Sequence, residues 1–177
     1  MLEAALRFLE ARQRSVGEVR RRLATAGYRE DLVTGAIERL GDLGVLDDEA
    51  FAAQWVESRD RARPRGERAL QAELRQKGIS SETIARTLDE RRGVGAGGDV
   101  DAGTADETAA RRLLDRHAAA LGRVADPRAR RQRAYALLAR NGFGSDTCRD
   151  VAAAWLQDRG APVAGEDEPD DAGPGDI

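Results

Sequence analysis

Cysteine, histidine and lysine each occur once in this chain, at Cys148, His117 and Lys77, and Asn141 is its single asparagine. One cysteine excludes an intrachain disulfide and any metal site built on several thiolates, and a lone His beside a lone Cys supports neither a catalytic triad nor a zinc site. Aromatic residues make up only 4% of 177 residues, which leaves little material for one large core. No apolar run approaches the roughly 18 residues of a membrane span, and no leading segment joins a basic start to an apolar stretch. The expected location is the cytoplasm, with no membrane contact. There is no Walker-type glycine loop with its lysine.

What is present is charge and a repeat. Charged residues reach 34% and the mean hydropathy is -0.58, the signature of a helix-biased chain in water. A leucine, three residues, a glycine and a large apolar residue recur as Leu23, Gly27 and Tyr28, as Leu74, Gly78 and Ile79, and as Leu138, Gly142 and Phe143. In each, the leucine closes a helix, the glycine takes the left-handed position that a side chain would strain, and the next residue folds back over the last turn. A polar turn and a second apolar helix follow each mark, with Val33 and Ile37, Ile84 and Leu88, and Cys148 and Ala152 at matching offsets. An amphipathic segment precedes each, ending near Leu9, Val56 and Leu114. The pattern predicts an all-α protein of three tandem three-helix repeats, elongated and curved because the apolar residues are divided among three small clusters.

The units are expected at 1–46, 47–92 and 104–159, with a flexible Gly/Asp linker over 93–103 and a disordered acidic tail over 160–177. Leu2, Leu6 and Leu9 share a face of the first helix. Ser15 and Glu18 form a capping box ahead of Val16, Val19 and Leu23, and Leu32, Val33, Ala36, Ile37 and Leu40 line the third helix. In the second unit Phe51, Trp55 and Val56 form the first stripe, Ala69, Leu70 and Leu74 the second, and Ile84 and Leu88 the third, capped by Ser80 or Ser81. In the last unit one helix spans about 104–122 with Leu113, Leu114, His117 and Leu121 on one side. Asp126-Pro127 opens the next, ending at Tyr135, Leu137 and Leu138, and Ser145 caps a helix burying Cys148, Val151, Ala152 and Trp155.

Several motifs fail on their context. Gly93, Gly95 and Gly98 have dinucleotide-loop spacing, but a helix precedes them and an acidic run follows, so no strand and no helix N-terminus would hold the pyrophosphate. Asp99, Asp101 and Asp106 suggest a calcium loop, yet the glycine it needs is Thr104 and the closing glutamate is Ala110. His117 lacks partners for general-base work, and Cys148 occupies the core position of Val33 and Ile84. Catalytic, metal and cofactor residues are therefore not expected.

Arginine is the remaining signal. Six of the 32 acidic residues lie between 161 and 177, where no basic residue occurs, so the first 160 residues carry 29 basic against 26 acidic groups. Arginines gather over Arg59 to Arg68 and Arg128 to Arg133, at the starts of equivalent second helices, and a shared flank would follow from the repeat. The candidate partner-binding residues are Arg63, Arg65, Arg68, Arg75, Lys77, Arg128, Arg131 and Arg133. Four to six such contacts with phosphates would give a log-log salt slope of roughly -4 to -5. Base stacking is not expected, because Trp55, Trp155, Tyr135, Phe51 and Phe143 all fall on apolar faces.

These residues resemble the RecX regulatory proteins. The resemblance rests on Ser15-Val16-Gly17-Glu18-Val19 with Leu23 and Gly27, on Leu46-Asp47-Asp48-Glu49-Ala50-Phe51-Ala52, on Gly66 with Leu70 through Ile79, and on Leu138 through Phe143. It covers about residues 2–158; the glycine-rich stretch, the acidic tail and the small Ala50 depart from the pattern. What it implies is a non-enzymatic protein that binds the RecA recombinase, above all as a filament on single-stranded DNA, and inhibits ATP hydrolysis, strand exchange and co-protease activity. A monomer with at most weak direct DNA contact is expected. The alternatives are a helix-turn-helix regulator reading duplex DNA without a recombinase, and a helical scaffold for another partner.

Overall fold

A computed structural model describes residues 2–10, 12–96 and 104–160, and all regular structure among them is helical. The helices are α1 (Leu2–Glu10), α2 (Val16–Thr25), α3 (Glu30–Asp42), α4 (Asp48–Ala62), α5 (Glu67–Lys77), α6 (Ser81–Ala96), α7 (Ala105–Arg116), α8 (Ala118–Gly122), α9 (Pro127–Arg140) and α10 (Ser145–Gly160). They form three tandem repeats: α1 to α3, α4 to α6, and α7 to α10, with α8 a single extra turn.

Local chemistry sets the boundaries. Ser15 accepts from the Glu18 amide while Glu18 receives the Ser15 amide, closing a capping box before α2. Thr104 and Glu107 do the same before α7. Asp47 accepts from the Glu49 and Ala50 amides, Asp126 from those of Arg128 and Ala129, and Ser80 from that of Thr83. At the other end, α2, α5 and α9 stop in the same way. The Tyr28, Ile79 and Phe143 amides donate back to Leu23, Leu74 and Leu138, at 3.3, 3.1 and 3.4 Å, around glycines at φ 85°, 87° and 85°.

Each repeat has its own core. The first gathers Ala5, Val19, Leu23, Val33, Ile37, Leu40 and Leu46. The second holds Phe51, Ala52, Val56, Leu70, Leu74, Ile79, Ile84 and Leu88. The third holds Ala109, Ala110, Leu113, Leu114, Leu121, Ala134, Leu138, Phe143, Cys148, Val151, Ala152 and Trp155.

Some expectations need correction. Among the described side chains of α1, Ala5 is buried, Phe8 and Leu9 pack beside it, and Leu6 is exposed. Leu32 and Tyr135 are exposed too, because Val33, Ala36, Ile37 and Leu40 already fill the core-facing arc of α3, and Ala134 and Leu138 that of α9. The expected helix over 104–122 breaks at His117, which is exposed. Its amide and its Nδ1–H both turn back, onto Leu114 O and Leu113 O at 3.0 Å, and so end α7. Ser145 is the first residue of α10, not its cap. Ala96 ends α6, so the first part of the 93–103 stretch is helical; residues 97–103 and the tail from 161 lie outside the described residues.

The repeats join through their second helices, which meet end to end. Ser15 Oγ, at the start of α2, donates to Lys77 O at the end of α5 (2.6 Å), and Lys77 Nζ donates back to Glu18 (2.7 Å). Val16 N, the first amide of α2, donates to Asp48 at 2.9 Å. The second joint repeats the first one unit on. Gly66 N, at the start of α5, donates to Asn141 O at the end of α9 (3.0 Å), and Glu67 N donates to Asp106 at 3.3 Å. In both, the amide-rich end of one helix faces the carbonyl-rich end of the next, which also sets their dipoles favourably.

Candidate partner-binding surface

A guanidinium or ammonium group can recruit a partner only if the fold has not already satisfied it, so the internal partners of each basic residue sort the candidates. Lys77 is the first to be set apart. It is largely buried, bonded to Glu18 across the first joint and placed 4.7 Å above the Trp55 ring. Arg65 is half-buried, paired with Glu73 at 3.4 Å and bonded to the Asn141 side chain across the second joint. Arg59 shares Glu73 (2.7 Å) with Trp55 Nε1 (2.8 Å) and lies 4.4 Å over the same indole. With two cations on Trp55 and Trp155 buried, the indoles offer no open face to a nucleobase.

Two further structural arginines carry no signature in the local sequence. Arg91 is buried between Asp60 (2.8 Å) and Asp106 (2.6 Å), tying α6 to α4 and to α7. Burial alone would lower its pKa, but the two carboxylates outweigh that and raise it. Arg116 reaches from α7 to the carbonyls of Ala62 and Arg61 (2.8 Å for the latter), filling the acceptors left open at the end of α4.

The remaining candidates are Arg63, Arg68, Arg75, Arg128, Arg131 and Arg133. All six are exposed, and none makes a side-chain hydrogen bond or ion pair among the described residues. Arg63 caps α4, Arg68 and Arg75 lie near opposite ends of α5, and the other three occupy the first half of α9. Because α5 starts where α9 ends, Arg68 and the α9 group are separated by about half to one length of α9, roughly 10–20 Å at 1.5 Å per residue. This spacing suits an extended partner better than a small ligand.

The Cys148 thiol is fully buried and accepted by Phe143 O at 3.6 Å; burial raises its pKa, opposed by the nearby Arg68 charge and assisted by Asp106. Among the described residues no group of three or more His, Cys, Asp or Glu side chains is arranged to hold a metal ion, and no helix is long and apolar enough to cross a membrane. An open groove of about 470 Å³ runs between α4, α6 and α7, floored by Val56, Ala105 and Ala109 beside Arg91.

Three-helix units joined end to end, each with its own core and with arginines on the outside, define a tandem helical-repeat protein. Known proteins share this design. Family models of RecX match residues 2–40, as its first three-helix domain, and residues 47–88, as its second. A regulatory protein RecX of Mycobacterium sp. (strain KMS) is 42% identical over 111 residues, 63% of this chain, and the chain spans 56% of that relative's length. One from Mycolicibacterium vanbaalenii is 38% identical over 157 residues, covering 85% of this chain and 79% of the relative. The crystal structure of RecX from Lactobacillus salivarius superposes with a TM-score of 0.68 over 88% of this chain and 94% of that one, at 19% identity. A second crystal structure, of a regulatory protein RecX, gives a TM-score of 0.70 over 86% and 71%, at 21% identity. The chain belongs to the RecX family of regulatory proteins.

Proposed function

We propose that this protein is a non-enzymatic regulator that binds the RecA recombinase as a filament on single-stranded DNA and inhibits its ATP hydrolysis, strand exchange and co-protease activity. It acts as a monomer in the cytoplasm, with the units 1–46, 47–92 and 104–159 laid along the polymer. Arg63, Arg68, Arg75, Arg128, Arg131 and Arg133 contact acidic recombinase surfaces, with weak contact to filament DNA where phosphates are in reach. Arg65 and Lys77 hold the joints and set the spacing of the others.

Membership of a family of regulatory proteins supports this reading. The single structural observation that carries it is the set of exposed arginines, spread over a helix length and left without partners among the described residues. A guanidinium presents a fixed fork of donors to a carboxylate or phosphate, so each such residue is a ready contact.

The test is RecA-catalysed ATP hydrolysis on single-stranded DNA with and without the protein. Wild type lowers the rate, and Arg131→Glu with Arg133→Glu weakens that effect while helicity stays the same. A hydrolysis rate indifferent to the wild-type protein would overturn the proposal.

A further inference from the structure

The chain builds one kind of joint twice and presents its acceptor a third time with nothing in it among the described residues. In both filled joints, the residue before the left-handed glycine offers its carbonyl to the N-terminal end of an arriving helix. Lys77 O accepts from Ser15 Oγ at 2.6 Å, and Asn141 O accepts from Gly66 N at 3.0 Å. The arriving helix also presses on the glycine: Gly17 stands against Gly78, and Ala69 against Gly142.

The third acceptor is Ala26–Gly27–Tyr28 at the end of α2. Its backbone is that of the other two, with Gly27 at φ 85° and the Tyr28 amide on Leu23 O. Here none of the described residues approaches within 4 Å of the space a Cβ would take on Gly27. Ala26 is exposed, and Tyr28 is half-exposed where Ile79 and Phe143 are 5% and 2% exposed. A second observation points the same way. Leu32 stands five residues after Gly27, the position held by Thr83 and Thr147 after Gly78 and Gly142, and it is 49% exposed. A large apolar side chain left in water beside an unfilled acceptor is what a docking surface needs.

We infer that Ala26, Gly27, Tyr28 and Leu32 form a docking surface for the N-terminal end of a helix on the recombinase, one that opens with a hydroxyl N-cap residue and carries an apolar side chain in its first turn. This rests on the reading of RecA as the partner. The chemistry follows from the filled joints. In those, Asp48 and Asp106 take the first amide of the arriving helix, and in the first of them the Ser15 hydroxyl both caps that helix and donates to the acceptor. By the same geometry, a Ser or Thr N-cap hydroxyl that accepts from its own helix can donate to Ala26 O as Ser15 does to Lys77 O. A second copy of this chain does not fit as a continuation of the series. Its free second-helix start is capped by Asp126, whose carboxylate has no proton to donate to Ala26 O as the Ser15 hydroxyl donates to Lys77 O, and would face carbonyl oxygens.

The experiment uses the full-length chain and RecA filaments on single-stranded DNA, with Ala26→Arg as the variant. A cation at the end of α2 favours that helix but repels the positive end of an arriving one. Binding is expected to weaken ~10-fold, the factor that one lost hydrogen bond and its repulsion bring, with an unchanged melting temperature. A contact made by the arginine surface alone predicts equal or tighter binding, since a positive charge is added. Leu32→Gln, at an exposed position, serves as a second variant should Ala26→Arg not fold, and is expected to weaken binding as well. If wild type binds the filament and neither variant weakens it, the docking surface is refuted and the RecA reading stands. If wild type does not bind RecA, that reading fails and the named occupant with it. Self-association of wild type that Ala26→Arg abolishes would make the occupant a second copy and overturn the inference as stated.

Discussion

Gly17 and Gly78 touch backbone to backbone across the joint between the first two repeats. A Cβ on Gly17 would stand 2.5 Å from Lys77 O and 2.9 Å from the Gly78 Cα, closer than atoms approach without something moving. Gly66 meets Gly142 in the same manner at the second joint. The end-to-end stacking of α2, α5 and α9 therefore depends on missing side chains as much as on the hydrogen bonds beside them.

Gly17→Ala tests this against a built-in control. Both Gly17 and Gly35 are helical, so alanine at either gains about 0.5–1 kcal/mol of helix propensity. Gly35 has open space around it and Gly17 does not. Gly35→Ala should raise the melting temperature; Gly17→Ala should lower it, with about 1–3 kcal/mol of overpacking strain exceeding the propensity gain. Equal shifts in both would show that the joint is loose.

Leu74 is fully buried in the second core and also supplies the carbonyl that closes the α5 turn. Leu74→Ala should cost about 2–5 kcal/mol, read as a lower urea midpoint. An unmoved midpoint would remove Leu74 from the core.

Arg91 is the electrostatic centre of the second joint. Removing it leaves Asp60 and Asp106 close together and largely shielded from water, so Arg91→Ala should destabilise by about 3–5 kcal/mol. Adding Asp60→Asn to that variant should restore part of the loss, because the remaining carboxylate no longer faces a like charge. Strict additivity of the two changes would mean that the three side chains do not act as a unit.

The joints should also respond to acid, with opposite signs at two carboxylates. For Glu18, burial works to raise the pKa, but hydrogen bonds and charge from Lys77 and Arg12 outweigh it and hold the group below its ordinary 4.5. Its contribution is complete above 4.5 and is lost as the pH falls through the depressed folded value. Burial raises Asp48 above its ordinary 3.8, opposed by the Val16 amide and aided by Asp47. The folded state therefore binds that proton more tightly, and stability declines as the pH rises from 3.8 through the raised value. Glu18→Gln should flatten the loss of stability on acidification below 4.5, and Asp48→Asn should raise the urea midpoint near neutral pH. A Glu18→Gln profile parallel to wild type would disconnect the Lys77 contact from stability.

Local features were legible in the chain for a local reason. Gly27, Gly78 and Gly142 end helices because the left-handed backbone strains any side chain, and that constraint spans six residues. The caps at Ser15, Asp47 and Asp126 act over three residues, and so does the capping box of Thr104 with Glu107, which is as local as the others. Leu6 and Leu32 stay in water because a helix buries one arc, and pattern alone does not say where that arc ends.

By itself, then, the sequence determined three helical trios, their ends and most of their cores, since those follow from spacing within a few turns. Which basic residues face outward was decided only by the tertiary structure. Lys77 meets Glu18 59 residues away, Arg65 meets Asn141 76 residues away, and Arg116 meets Ala62 54 residues away. An arginine in a sequence has the same charge wherever it lies; whether a carboxylate or a helix end already holds it depends on the packing of one repeat on the next.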